Sequence, residues 1–476
     1  MSSLFSVLIA IGGGMGGFLF GYEIGIIDQI LVMDSFKAYF NTPSDLSVIN
    51  GNITALFLVG CVAGALAVAF VGDVLGRKRA IFAGGCVFSV GAVIQTAAQS
   101  LGMLYGGRVI SGISVGVLST VVPVYIAESS SAKLRGTLTS VFQLLITFGI
   151  LVASCVNTGI IKGLDGQEAE WRTAFGLQLV PGALLLLSIL FLPESPRFLA
   201  MKGKMAECLS VLARILGQVV NAPEVQAEFR EIEIIVERDR VLGEAKWSEI
   251  FQRSIRPRIF LVLVLQTLQQ WTGINVILYY AGTLFQDMGF SHAESSTSFV
   301  IANAGINFLA TFPALYLVER VGRKTLLIVG GAGIAFSHTM VTICLKISQN
   351  GNPSVAWGAI IFVYLFIFFF AITWGPVAWV YQSEILPLRV RSKGTGLGTV
   401  ANWVSNAIIA KISPIIATSL GAYQYLIYAG MGVMMTVFAI FFIPETKGVE
   451  LEDMAAVFGH PEETSVAVID RKEEAV

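Results

Sequence analysis

Three carboxamides and a glycine sit together in Gln269-Gln270-Trp271-Thr272-Gly273-Ile274-Asn275, and two phenols follow at Tyr279 and Tyr280. The stretch lies inside a long apolar run, where an unpaired amide or hydroxyl costs roughly 2–7 kcal/mol. Such residues persist at membrane depth when they face a protein interior or a water-filled cavity. On a regular helix Gln269 and Gln270 point about 100° apart, so a single cavity reaches both more easily beside an irregular turn. Gly273 is the natural place for that irregularity. Further polar residues stand on apolar runs at Gln143, Asn307 and Asn402, and Trp374-Gly375-Pro376-Val377-Ala378-Trp379 combines a helix breaker with two indoles. Singly, each reads as an interhelical hydrogen bond. Together they form a surface of amides and an indole face suited to a polyhydroxylated ring. No cation accompanies them, which counts against an anionic ligand.

A second chemistry rests on charge. Glu23 lies within the first apolar run and Arg108 opens the fourth, followed by Gly112 and Gly116 at intervals of four. That spacing of small residues lets another helix approach closely. An acid and a base at membrane depth lower their cost by pairing. Glu23 can then carry a proton, its affinity set by Arg108; the alternative is a static pair that only orients helices.

A third set is repeated. Asp73, Arg77, Glu128, Arg135 and Glu194 in the first half recur as Glu319, Arg323, Glu384, Arg391 and Glu445 in the second, offset by about 250 residues. Arginine's planar fork suits bidentate pairing with carboxylates. Pairs of this kind bridging the halves would form a lock at one end of the molecule, released when that end opens.

The elements that must position these groups are long and apolar. Of 476 residues, 55% are hydrophobic and 13% charged, against about 25% charged in ordinary soluble domains. The mean hydropathy is +0.75. Runs near 4–32, 53–71, 80–98, 103–126, 138–161 and 174–192, then 259–285, 298–318, 326–347, 355–383, 394–420 and 423–443, predict twelve membrane-spanning helices. The expected fold is an all-α membrane protein of two repeated six-helix bundles (1–196 and 259–446). A cytoplasmic linker of amphipathic helices (197–258) joins them, and a short cytoplasmic tail (447–476) follows. Lysine and arginine concentrate in one set of short loops, which places that set, the linker and both termini in the cytoplasm. A net charge of −1 gives no basic patch for nucleic acid. The five cysteines and three histidines form no metal-ligand pattern, and no nucleophile–base constellation suggests an enzyme. No metal or cofactor is expected.

Several motifs occur together and in order: Arg135-Gly136, Pro193-Glu194-Ser195-Pro196-Arg197, Gln269-Gln270 with Gly273, Asn275 and Tyr279-Tyr280, Gly322-Arg323-Lys324, Gly375-Pro376 with Trp379 and Ser383-Glu384, and Pro444-Glu445-Thr446-Lys447-Gly448. From Gly16 to Met454 the chain resembles the sugar porter family of the major facilitator superfamily. That resemblance implies sugar binding by Gln143, Gln269, Gln270, Asn275, Asn307, Trp379 and Asn402. It implies an outer gate at Tyr279 and Tyr280, and proton coupling through Glu23 with Arg108. Proton symporters of the family carry aspartate where this chain has Glu23; facilitators carry a neutral residue. Ala69, Ser131 and Glu319 are smaller departures, and the outer loop between 34 and 52 has no cysteine for a disulfide-tied lid. The expectation is uptake of a monosaccharide (a hexose, or a pentose) with a proton as co-substrate, by a monomer in the plasma membrane. Two alternatives stand beside it: a facilitative sugar or polyol uniporter, and a non-transporting sugar receptor, which the short tail disfavours.

Overall fold

The computed structural model describes residues 4–31, 33–40, 46–131, 133–164, 166–241, 245–278, 298–350, 353–451 and 453–460. In the first half α1 (Leu4–Ile30) leads through the short α2 (Asp34–Tyr39) into α3 (Leu46–Leu75), α4 (Arg77–Thr96), α5 (Leu101–Glu128) and α6 (Arg135–Leu164). The sixth crossing is split into α7 (Ala169–Gly176) and α8 (Leu179–Phe191). The linker holds α9 (Pro196–Met201), α10 (Met205–Leu216), α11 (Pro223–Val241) and a 3-10 turn at Trp247–Phe251. The second half begins with α12 (Arg256–Gln270), and helix resumes at Ile274 after a break. It continues with α13 (Phe299–Arg320), α14 (Arg323–Gln349), α15 (Ala356–Ile372), α16 (Trp374–Ile385), α17 (Arg391–Leu420), α18 (Gln424–Phe442) and a last turn, α19 (Met454–Val457). No strand occurs among the described residues.

Eleven described spans are long and apolar enough to cross a bilayer by length and composition. The helix that falls short of the expected twelve is α17. Its 30 residues suffice in length, but it carries Arg391, Lys393, Asn402 and Asn406. It can afford that polarity because Thr395, Thr399, Asn402 and Asn406 are buried against protein.

Local sequence explains where helices start and break. Ser100 caps α5 by accepting from the Met103 amide (3.3 Å), and Ser195 caps α9 by accepting from Phe198 (3.1 Å), with Pro196 in the first turn. The tenth crossing breaks at Thr373, just ahead of Gly375-Pro376, so the run expected as one helix is two. Gly112 and Gly116 on α5 lie against the backbone of Phe57 and Cys61 on α3, with no room for a Cβ.

Apolar residues divide into a cluster within the second half, from Ile250 to Ile443, and two clusters centred on the first half. The halves meet where α17 packs on α3 and where α13 and α16 pack on α6. Trp403 of α17 crosses this seam, its indole N–H donating to Ser119 Oγ (3.1 Å) and its ring 5.0 Å from Phe20. Large apolar side chains on the outer faces stay exposed, Phe191 by 84% and Phe441 by 75%. Such a belt suits hydrocarbon and would not be tolerated in water.

Candidate functional site

The carboxamides of the second half form one hydrogen-bonded group. Asn402 Nδ2 donates to Gln269 Oε1 (2.6 Å) and Gln266 Oε1 (2.7 Å), while its carbonyl accepts from Gln270 Nε2 (2.8 Å). Asn275 Nδ2 donates in turn to Gln270 Oε1. Gln269 Nε2 donates to the carbonyls of Trp374 and Gly375 (3.0 and 3.1 Å), in the first turn of α16. Gln269 and Gln270 reach the same group although they are adjacent in sequence, because α12 ends at Gln270 and the chain turns through Gly273 at φ +88°. Gln266, one turn before Gln270, is a full member that the sequence reading missed; its signal is a third carboxamide at helical spacing on the same apolar run.

Gln143 comes from the first half; Trp379 and Asn307 stand on second-half helices that pack against it. Gln143 on α6 adjoins Gly375, whose carbonyl Gln269 binds. Trp379 on α16 is buried, with its ring 5.7 Å from that of Phe142. Asn307 on α13 is buried and its Oδ1 has no hydrogen-bond partner. One turn on, Thr311 donates to the Asn307 backbone carbonyl (2.7 Å) and lies 3.4 Å from Thr147 on α6. Hydrogen bonds thus join Gln269, Gln270, Asn275 and Asn402 with Gln266, while Gln143, Asn307 and Trp379 stand on helices that meet at the seam between the halves. Tyr279 and Tyr280 lie outside the described residues.

Glu23 and Arg108 form a buried ion pair between α1 and α5. Arg108 Nε also donates to the Ile53 carbonyl (3.3 Å), and its guanidinium lies 4.5 Å over the Phe57 ring. Glu23 Oε2, buried, has no hydrogen-bond partner. The carboxylate is therefore held on one oxygen and open on the other. Such a group can take a proton without first losing a second bond.

At the end of the bundles where the linker attaches, the repeated charges separate into three kinds of contact. Some pairs stay within a half: Arg77 forks onto Glu128 through Nε and Nη2 (both 3.0 Å), and Arg323 onto Glu384 (3.2 and 2.7 Å) and Glu319 (3.0 and 3.3 Å). Ser195 on Glu128 (2.7 Å) and Thr446 on Glu384 (3.0 Å) complete equivalent sites. Glu194 and Glu445 differ from the expected bridges. Each accepts backbone N–H groups of its own half, Arg77 and Lys78 or Arg323 and Lys324, at the start of α4 or α14. There a carboxylate complements the helix N-terminus. Gly76 and Gly322, at φ +86° and +96°, admit these carboxylates; a Cβ would strike them.

The third kind crosses between the halves. Arg391 donates to Glu128 (3.1 Å), so this one carboxylate serves an arginine from each half. Glu319 accepts the amides of Gly136 and Thr137 (2.7 and 3.3 Å) at the start of α6. Asp73 accepts from Ser392 (2.5 Å) and lies 3.6 Å from Lys393. Arg135 donates to the Val449 carbonyl (3.1 Å) and approaches Glu450 (3.5 Å). This end of the seam is closed. Outside the spans, Arg389 binds Glu249 through Nε and Nη2 (2.5 and 2.8 Å), and the hydrogen-bonded guanidinium holds the Glu249 carboxyl below the usual carboxylate range.

Two repeated helix bundles meeting at a buried polar group define a secondary transporter with the major facilitator fold. A family profile described as "Sugar (and other) transporter" matches residues 9–458. The chain belongs to that family, the sugar porters of the major facilitator superfamily. Hexose transporter HXT10 of Saccharomyces cerevisiae is 35% identical over 459 residues, 93% of this chain and 83% of that one. High glucose sensor RGT2 of the same yeast is 34% identical over 475 residues; the match spans 96% of this chain and 61% of the sensor. Among solved structures, the Escherichia coli proton:xylose symporter XylE bound to 6-bromo-6-deoxy-D-glucose superposes with a TM-score of 0.85 at 28% identity, over 95% of this chain and 99% of that one. Its inward-open form superposes less well, at 0.69 with 27% identity over 94% and 99% of the chains.

Proposed function

We propose that the protein carries a monosaccharide, a hexose or a pentose, across the plasma membrane by alternating access in symport with a proton. The observation that carries this reading is the pairing of two separate sites. One is a carboxamide group at the seam between the halves; the other is a buried carboxylate, Glu23, held by Arg108 on one oxygen only. Sugar hydroxyls can replace the amide–amide bonds among Gln269, Gln270, Asn275 and Asn402 one for one, because each carboxamide both donates and accepts. Gln143 and Asn307 supply contacts from the neighbouring helices, and the Trp379 indole faces the C–H side of the ring. Tyr279 and Tyr280 close over the sugar from outside.

Lysine and arginine placement puts the linker and both termini in the cytoplasm, so the closed seam is the cytoplasmic one and the sugar enters from outside. Protonation of Glu23 removes its charge and loosens Arg108, which favours the outward-facing, sugar-competent state. Release inside follows when the bridges at Glu128, Glu319, Asp73 and Arg135 part. Sugar and proton drive the cycle only through their different affinities for the two states. A single chain contains every group the cycle needs.

Purified protein in proteoliposomes tests the coupling. Sugar added outside should carry protons inward, and an imposed pH gradient should drive sugar above its equilibrium level. Glu23→Gln should abolish that accumulation while leaving exchange of labelled sugar at equilibrium. Accumulation unchanged in Glu23→Gln would remove the coupling role and leave a uniporter. The likeness to a glucose sensor supports a second reading, a receptor. Sugar binding with no flux in any direction would favour it.

A further inference from the structure

Among the buried ionisable groups, His338 on α14 is one that neither the charge clusters nor the sugar site uses. It lies in the second half at 1% exposure, packed against Phe366, Tyr425 and Tyr428 with ring centroids 4.3, 6.0 and 5.6 Å away. A phenylalanine would fill that slot equally well by shape. The ring instead reaches across to α12's broken end, where His338 Nε2 lies 2.9 Å from the Thr272 carbonyl. A carbonyl only accepts, so Nε2 carries the proton and donates. The other ring nitrogen, Nδ1, is buried with no hydrogen-bond partner. An apolar environment does not hold a half-satisfied imidazole without return.

What the single bond does follows from its place. The α12 ladder ends with Trp271 N on the Thr267 carbonyl (3.4 Å), and helix resumes with Ile277 N on Gly273 (3.2 Å). Between them, Thr272 Oγ1 donates to the Gln269 carbonyl (2.8 Å), and the Thr272 carbonyl turns outward to His338. The break separates Gln269 and Gln270 from Asn275. A cis-acting hydroxyl and a trans-acting imidazole therefore fix the angle at which these carboxamides face one another. Gly273 is required at the same point: its φ is +88°, and a Cβ would come within 3.1 Å of Tyr428 and 3.4 Å of His338 Nε2.

We propose that His338 is a positioning residue that pins the helix break at Thr272–Gly273 and so holds the carboxamides on either side in register for the sugar. The proposal rests on the sugar-binding reading above for its ligand, but the pin itself is a statement about the break. His338 touches no substrate; it acts through the Thr272 carbonyl.

Two variants separate the bond from the packing. His338→Phe keeps an aromatic ring and removes the donor, whereas His338→Gln places an amide N–H near the position of Nε2. In His338→Phe, backbone amides of residues 271–278 should exchange with solvent about tenfold faster in sugar-free protein. KM for sugar should rise about tenfold with kcat changed less than twofold, because the site is misaligned while the gates are intact. His338→Gln should return both towards wild type. All three proteins should melt at similar temperatures; a merely structural loss would lower the active fraction, and hence kcat, without moving KM. Wild-type exchange at 271–278 in His338→Phe, or a His338→Gln variant as impaired as His338→Phe, would overturn the pin. If the wild type binds no sugar while the exchange pattern follows the prediction, the sugar reading fails and the pin stands.

Discussion

Replacing Arg391 with methionine should shift the protein towards the state open on the linker side. Arg391 donates from Nη1 to Glu128 across the seam and from Nε to the Leu386 carbonyl of its own half. Methionine fills much of the arginine stem's volume, and Glu128 keeps both bonds from Arg77 and the one from Ser195. The variant therefore removes a bridge without leaving an uncompensated buried charge, which would cost about 3–5 kcal/mol and obscure the result. A hydrogen bond to a charged partner contributes about 1.5–3 kcal/mol. In the open state the two groups are apart and hydrated, so the loss falls on the closed state alone. A shift of about 2 kcal/mol is roughly thirtyfold in the equilibrium; an open state at about 1% would rise to about 20%. Spin labels on Arg79 and Thr325, exposed at the starts of α4 and α14, would report a second, longer distance in that proportion. The Glu128→Gln, Arg391→Met double variant should show less than the sum of its singles, since the two side chains share one contact. An unchanged distance distribution, or strict additivity, would mean that this bridge does not hold the seam.

Gly273→Ala should destabilise the protein by about 2 kcal/mol, from the positive φ and the approach to Tyr428, read as a lower Tm; an unchanged Tm would mean the break relaxes freely. Asn402→Leu takes one side-chain hydrogen bond from each of Gln266, Gln269 and Gln270. It should cost about 2–3 kcal/mol and weaken sugar binding at least tenfold by titration calorimetry. Wild-type affinity in Asn402→Leu would take the carboxamide group out of recognition. Glu249, whose carboxyl Arg389 holds low, should stabilise the linker's attachment fully above its unfolded value of about 4.3. That contribution is lost as pH falls through the lower folded value. The Tm difference between wild type and Glu249→Gln should thus be flat at neutral pH and vanish on acidification; a difference independent of pH down to 3 would refute the ion pair's part.

Much of the architecture is legible in the chain because hydrocarbon allows few solutions. Apolar runs of bilayer length announce helices, and a polar residue on such a run is expensive enough to mark a function by itself. Glu23, Arg108, Gln143, Asn307 and Asn402 stand out for that reason. The repeat of Glu128 and Arg135 as Glu384 and Arg391 is equally plain, since it needs only comparison of the chain with itself. The helix Arg391–Leu420 is instructive: its run is legible as a span from 394 to 420, yet it is among the more polar of them, and burial against the first half is what makes it tolerable.

Partner choice was not legible. Equivalent positions in the two halves suggested one lock built twice, yet Glu194 and Glu445 cap helices within their halves, and Glu128 takes an arginine from each. Which of several identical carboxylates meets which guanidinium depends on where helix ends arrive in space, and sequence spacing does not carry that. The same holds for Gln266 and for His338, whose role exists only because the chain breaks at Thr272 and turns a carbonyl towards another helix. The sequence determined which groups had to find partners, through the cost of leaving them bare. The tertiary structure decided who the partners are, because that depends on distances between segments remote in the chain.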